Sequence, residues 1–351
     1  LPSIIREFDL ALAVAERINS IYSLVFAALL NTLGKVADMY GRRRMFMIGL
    51  VIFVGASMMA GLATDGSSLI AARFLQGVGA AVILPATLST VNATFQGKER
   101  GIAFGVWGSV IGGMAALGPL LGGWLTTEHS WRWAFYINLP IGAVALIGTV
   151  MWVRETRDTE LQRGFDIPGI LLSGIGLAAV VFSLIEGPRL GFFQQIDAFN
   201  AGPFAWPEHW ISPVVATFVL GVLLLIGFVL NEKVRAERGR AVLFDLALFR
   251  FKSFSLGNSA AATLSLGEFG LVFVLPLFLQ AVFGYSAFRT GLLLLSLAIG
   301  AFIGGPTAGI LATKIGPRRV VSAGMGMEAV AILAVALLIA PEQSGWTFVL
   351  P

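Results

Sequence analysis

The chain has 351 residues, 57% hydrophobic and 13% charged, about half the charged share of a soluble globular protein. A water-soluble fold could not hide that much apolar surface, so lipid is the expected solvent. Cysteine is absent and histidine occurs only at His129 and His209, which excludes disulfides, thiol nucleophiles and cysteine metal sites and argues against a histidine metal centre. The net charge of +4 does not point to nucleic acid, because the basic residues sit in short connections rather than along one exposed face.

In chain order, the sequence opens on Leu1-Pro2-Ser3-Ile4 with neither an initiator Met nor a basic-then-apolar leader. Ten apolar stretches follow, each near the roughly 20 residues a helix needs to span hydrocarbon: 16–36, 45–63, 68–95, 101–125, 133–153, 168–187, 211–230, 254–283, 290–313 and 320–340. The terminal stretch from Gly345 to Pro351 reads as the first turns of a further span. The expectation is therefore a fragment lacking spans at both ends.

Charge in the connections alternates. Eighteen Lys and Arg fall in one set, around 35–44, 98–100, 154–163, 233–252 and 314–319, whereas Arg6, Arg17, Arg132, Arg189 and Arg289 fall in the other. Basic residues concentrate in cytoplasmic loops, which places the 34–44 loop inside and the 64–67 loop outside. The remaining basic residue, Arg73, lies within a span. Aligned with itself, the chain matches Gly34-Lys-Val-Ala37-Asp38-Met-Tyr-Gly41-Arg-Arg43-Arg44 to Gly309-Ile-Leu-Ala312-Thr313-Lys-Ile-Gly316-Pro-Arg318-Arg319, with five identities in eleven positions. Two homologous helix bundles joined in parallel would give this pattern, and so would chance similarity of two basic loops.

The segment from Gly34 to Arg44 resembles the loop signature of the major facilitator superfamily, Gly-x-x-x-Asp-(Arg/Lys)-x-Gly-(Arg/Lys)-(Arg/Lys), with Met39 departing from it and Thr313 replacing the acid in the second copy. If that segment follows helix two, two extra spans, 168–187 and 211–230, lie between the bundles. This arrangement resembles the fourteen-helix drug:proton antiporter family. So do Gly118-Pro119-Leu-Leu-Gly122-Gly123-Trp124, the Trp131 to Gly142 stretch, Phe165-Asp166-Ile-Pro168-Gly169, and Pro276 to Gln280 before Gly284-Tyr285. The resemblance implies an all-α integral membrane protein of the major facilitator fold. It divides the chain into an N-terminal bundle at 1–153, two inserted spans at 154–253 and a partial C-terminal bundle at 254–351. Helix one and the last three helices would be missing.

Asp38 lies near the inner end of its helix, where the helix dipole disfavours an anion, so arginines or another helix's positive end should hold it. The resemblance makes Gly34, Asp38, Gly41, Arg42 and Arg43 a conformational latch; the alternative is that the arginines only enforce orientation. Arg73 and Gln76 match a family motif thought to tune a proton-binding acid of helix one, expected before Leu1. Arg73 alternatively snorkels to the headgroups. Gly101, Gly105, Gly108 and Gly112 recur at helical spacing, continued by Gly118, Gly122 and Gly123, so backbones can approach along that stripe, and Pro119 should kink the helix. This resembles the antiporter motif, although plain tight packing would use the same glycines. Glu268 and Glu328 lie within spans, where carboxylates are costly and are candidates for proton or substrate binding, or else neutral hydrogen-bonded contacts. Glu186 falls at the outer end of a span and is expected to be interfacial.

No phosphate-binding loop, catalytic triad or metal-ligand spacing occurs, so neither an enzyme nor a cofactor is expected. The reading is a monomeric, multi-pass protein of the plasma (cytoplasmic) membrane that exchanges protons for an amphipathic, cationic small molecule by alternating access. A metabolite facilitator or symporter, and a non-transporting receptor or assembly subunit, are the alternatives.

Overall fold

The computed structural model describes residues 2–10, 12–158, 166–201, 204–207 and 211–338. Arg163, Phe165, His209 and the 345–351 stretch lie outside them, as does the side chain of Pro119, on which the expected kink depends. The helices are α1 (Pro2–Phe8), α2 (Leu12–Tyr40), α3 (Arg42–Gly61), α4 (Gly66–Thr94), α5 (Gly97–Glu128), α6 (Trp133–Tyr136), α7 (Asn138–Trp152), α8 (Ile167–Leu190), α9 (Pro213–Glu237), α10 (Lys252–Ala281), α11 (Ala287–Ile315) and α12 (Pro317–Leu338). A 3₁₀ turn covers Leu246–Arg250, and a two-residue ladder pairs β1 (Asn200–Ala201) with β2 (Phe204–Ala205). Among the described residues ten candidate membrane spans occur, with α6 and α7 together making one. The helices overrun the apolar stretches: α9 continues past residue 230 through Asn231, Glu232, Lys233 and Arg235, since a helix need not end where the hydrocarbon does.

Several helices start where a side chain satisfies their first amides. Asp65 Oδ1 accepts from the Ser68 N–H at 2.8 Å ahead of α4, and this bond holds the Asp65 carboxyl below the usual carboxylate range. Asp166 accepts from Gly169 N at 3.0 Å, Ser212 from Val214 N at 3.2 Å and Ser286 from Arg289 N at 3.2 Å, opening α8, α9 and α11.

The two copies of the eleven-residue repeat have matching backbones. Gly41 (φ 119°) and Gly316 (φ 89°) each form the one-residue joint between two helices. The Gly41 N–H donates to Ala37 O at 3.0 Å and the Gly316 N–H to Ala312 O at 3.1 Å. A φ in this range is strained for any residue with a Cβ, which explains why the joint is glycine in both copies.

The chain forms two compact units, one of residues 1–90 and 135–247, the other of 91–134 and 248–351. In the first, α3 and α4 meet through Gly49 and Gly79, where a Cβ on Gly79 would lie 2.8 Å from Gly49 O. Gly77 brings α4 onto α2, 2.9 Å from Tyr22 O by the same measure. α8 and α9 form an antiparallel pair through Gly176 and Gly221, pinned by the Ser183 and Thr217 hydroxyls 2.8 Å apart. Gly174 then sets α8 against Ala28 of α2. Close backbone approach of this kind binds helices together where lipid competes equally for apolar surface.

In the second unit α5 runs antiparallel to α11. Gly101 and Gly105 face Gly309 and Gly305, Ser109 lies against Gly305, and Gly112 faces Ala301. The seam therefore follows four-residue steps, with Ser109 filling the place a glycine stripe would give to Gly108. Among the described residues, no atom outside their own helix approaches within 4 Å of a Cβ built on Gly108, Gly118 or Gly122, so those three do not extend the seam as expected. A small cluster of Leu275, Leu279, Leu293, Leu294 and Val335 ties α10, α11 and α12 together.

Overpacking the seam should cost about 1–3 kcal/mol. Gly105→Leu is expected to lower the thermal unfolding midpoint of the purified protein measurably, whereas Gly108→Leu leaves it within error.

Candidate functional site

In the first unit, Arg73 is held by groups of its own helix and of α2. Its Nε donates to Ile18 O at 3.3 Å, its Nη1 to Gln76 Oε1 at 2.9 Å, and its guanidinium lies 4.4 Å from the centre of the Tyr22 ring. Gln76, 1% exposed, passes its amide on to Ser57 Oγ at 2.6 Å, and Asn138 Nδ2 reaches the same hydroxyl at 3.2 Å. The result is a polar chain across α2, α4, α3 and α7 that fixes the cation without a carboxylate among the described residues. Arg73 and Gln76 were legible as a pair and Asn138 lay in a family-like stretch without an assigned role; Ser57 carried no sequence signal.

At the basic-loop end, Asp38 pairs with Arg42 Nε at 2.6 Å, four residues on across the Gly41 joint. Arg43 does not join that pair: its Nη2 donates to Val150 O at 2.9 Å. The group that sequence reasoning missed is Glu155. It accepts from the backbone N–H groups of Arg43 (3.1 Å) and Arg44 (3.2 Å), capping α3, and lies 3.7 Å from Arg44 Nε. An anion there complements the positive end of the α3 dipole. Gly41 leaves the room: a Cβ on it would meet the Glu155 carboxylate at 2.7 Å. Gly34 sits against Pro85, 3.1 Å by the same measure.

At the other end of α2 and α8, Glu186 is 5% exposed and bound to Arg189 at 2.7 Å. Arg189 also pairs with Asp197 (2.9 Å) and Glu16 (3.6 Å). These charges border a cavity of about 330 Å³ lined mainly by Ile21, Leu24, Ile70, Phe182 and Ile185.

In the second unit Glu268 lies on α10, exposed, with Oε1 3.5 Å from the position a Cβ on Gly112 would take. Glu328 on α12 projects over Gly267, and its Oε1 is buried without a donor among the described residues. The two carboxyls are close enough to interact electrostatically. Gly122 O and Gly123 O receive the Thr126 and Thr127 hydroxyls at 2.7 and 2.8 Å.

Ten candidate spans among the described residues, with an anchored arginine in one unit and two span carboxyls in the other, mark a multi-pass helical membrane protein of the transporter class. The sequence matches the Major Facilitator Superfamily over residues 1–351, and the chain belongs to that family. It is 34% identical over 347 residues to the "Puromycin resistance protein pur8" of Streptomyces alboniger, covering 97% of this chain and 64% of that protein. It is 32% identical to the "Probable actinorhodin transporter" of Streptomyces coelicolor (99% and 57% covered) and 33% identical to the "Multidrug resistance protein Stp" of Mycobacterium tuberculosis (95% and 58%). The chain thus spans somewhat more than half the length of these relatives.

Ser57→Ala should strand the buried amides of Gln76 and Asn138, at a cost of about 1–3 kcal/mol. Differential scanning fluorimetry of the purified protein is expected to show a lowered midpoint for Ser57→Ala and an unchanged one for Arg44→Ala, whose side chain is 66% exposed.

Proposed function

We propose that the protein is a proton-coupled antiporter that exports amphipathic, cationic compounds across the plasma membrane by alternating access, within the fourteen-helix drug:proton branch of its superfamily. The observation that carries this reading is the pair of carboxyls on α10 and α12. Charged groups inside spans are costly and persist where they bind an ion or line a solute path. Glu328 has a buried oxygen without a donor, and exposed Glu268 is its neighbouring acid. Such a pair is suited to taking up a proton or a cationic solute, one in place of the other. Resistance and export proteins among the relatives support a toxic small molecule as cargo.

Gly34, Asp38, Gly41, Arg42 and Arg43 act here as a conformational latch, with Glu155 completing it at the α3 terminus. Arg73 and Gln76 supply a fixed positive potential within the first unit that tunes proton binding. Gly112, with Gly118, Pro119, Gly122 and Gly123, forms the antiporter segment of α5.

The test is cationic-dye movement into inside-out vesicles bearing the full-length protein, with and without an acid interior. Acid-interior-dependent uptake is expected, falling at least about tenfold in Glu268→Gln. Absence of uptake in both conditions would favour a metabolite facilitator instead.

A further inference from the structure

Asp166 and Glu232 come together where α8 begins and α9 ends. Each is 1% exposed. Asp166 is surrounded by donors: Gly169 N at 3.0 Å, Asn231 Nδ2 at 2.9 Å and Arg235 Nε at 3.2 Å. All three are donors, the partners a carboxylate oxygen accepts from. Glu232 is placed differently. Its Oε2 accepts the Phe244 N–H at 3.2 Å, but its Oε1 has no donor among the described residues.

That oxygen lies beside the Asp166 carboxyl. Both groups crowd the same side of Gly169, where an added Cβ would meet the Asp166 carboxylate and Glu232 Oε1, the latter at 2.7 Å. Two carboxylates offer only acceptors to each other, so a hydrogen bond between them requires a proton. The surrounding cations do not replace it. Arg235 is spent on Asp166 and on Ala241 O, at 3.0 and 2.8 Å. Lys35 of α2 donates to Val242 O and acts on both acids only from beyond ion-pair distance. The remaining groups facing Glu232 are the backbone N–H donors of Leu243 and Phe244.

We propose that Asp166 and Glu232 together bind one proton, carried on Glu232 and donated to Asp166, forming a proton site on α8 and α9 built from residues other than Glu268 and Glu328. The site also fastens the segment after α9: Lys35 holds Val242, Arg235 holds Ala241 and Glu232 holds Phe244. Loss of the proton leaves two buried anions in contact, and their repulsion loosens that segment from α2, α8 and α9. A rise in pH at the basic-loop end therefore releases the segment, and a fall secures it. None of this depends on which solute is carried.

Glu232→Gln is the discriminating variant, because its amide can accept from Phe244 and donate permanently to Asp166. Infrared difference spectra of the full-length protein in lipid nanodiscs should show a protonated-carboxyl stretch at neutral pH that is lost on alkalinisation, persists in Glu268→Gln and is missing from Glu232→Gln. The thermal midpoint of the wild type should fall as pH rises from the ordinary carboxylate range to neutrality and level off above it, with the slope absent in Glu232→Gln. Asp166→Asn, which leaves Arg235 without its anion, should be less stable at every pH. An unchanged stretch and slope in Glu232→Gln would overturn the proposal. Failure of that variant to fold would overturn it equally, since the amide reproduces each contact of the protonated acid.

Discussion

In hydrocarbon a helix gains little by exchanging lipid for another apolar helix, so this fold depends on how closely its backbones can approach. The contacts between spans accordingly run through residues with little or no side chain. α5 meets α11 along Gly101, Gly105, Ser109 and Gly112, α8 meets α9 at Gly176 and Gly221, and α4 reaches both α3 and α2 through Gly79 and Gly77. Large apolar side chains mostly point outward: Val144, Phe273 and Leu337 are 70% or more exposed, which in a bilayer means contact with acyl chains.

Once backbones are that close, a polar side chain in a span must be bonded or stand out by not being so. The first unit mostly bonds its polar groups, through the Arg73–Gln76–Ser57–Asn138 chain and the Asp38–Arg42 pair beside the Glu155 cap. Among the described residues, Glu232 of the first unit and Glu328 of the second each keep one buried carboxyl oxygen without a donor, and a group left in that condition is poised to take a proton.

The spans were legible because twenty-residue apolar runs have few other uses; their ends were not, because polar residues such as Asn231 and Arg235 continue α9 beyond the hydrophobic signal. The glycine stripe misled at one step. Residues 101, 105, 108 and 112 share a face by counting, but antiparallel crossing with α11 selects four-residue steps, and Ser109 serves because its hydroxyl turns back onto Val106 O at 2.7 Å. Asn138 and Asp166 stood in family-like stretches that gave no hint of their contacts, and Ser57, Glu155 and Glu232 carried no signal at all. The meetings of Asp166 with Asn231, Ser57 with Asn138 and Glu155 with Arg43 join residues 65 to 112 positions apart, and no local pattern encodes such a meeting. Nor did the sequence show three acids, Glu16, Glu186 and Asp197, converging on Arg189.

The internal repeat carries a lesson about what divergence can erase. Of its retained positions, Gly34 and Gly309 sit under neighbouring atoms, Ala37 is 1% exposed, and Gly41 and Gly316 hold left-handed joints. The paired arginines keep the charge that orients the loops. Each demand is imposed by backbone chirality, space or topology and is indifferent to cargo. Position 38, whose side chain makes a specific ion pair, has become Thr313 in the other copy. Ancestry in such a chain is therefore recorded most durably by its glycines, while the residues that distinguish one half's task from the other's are the ones free to drift.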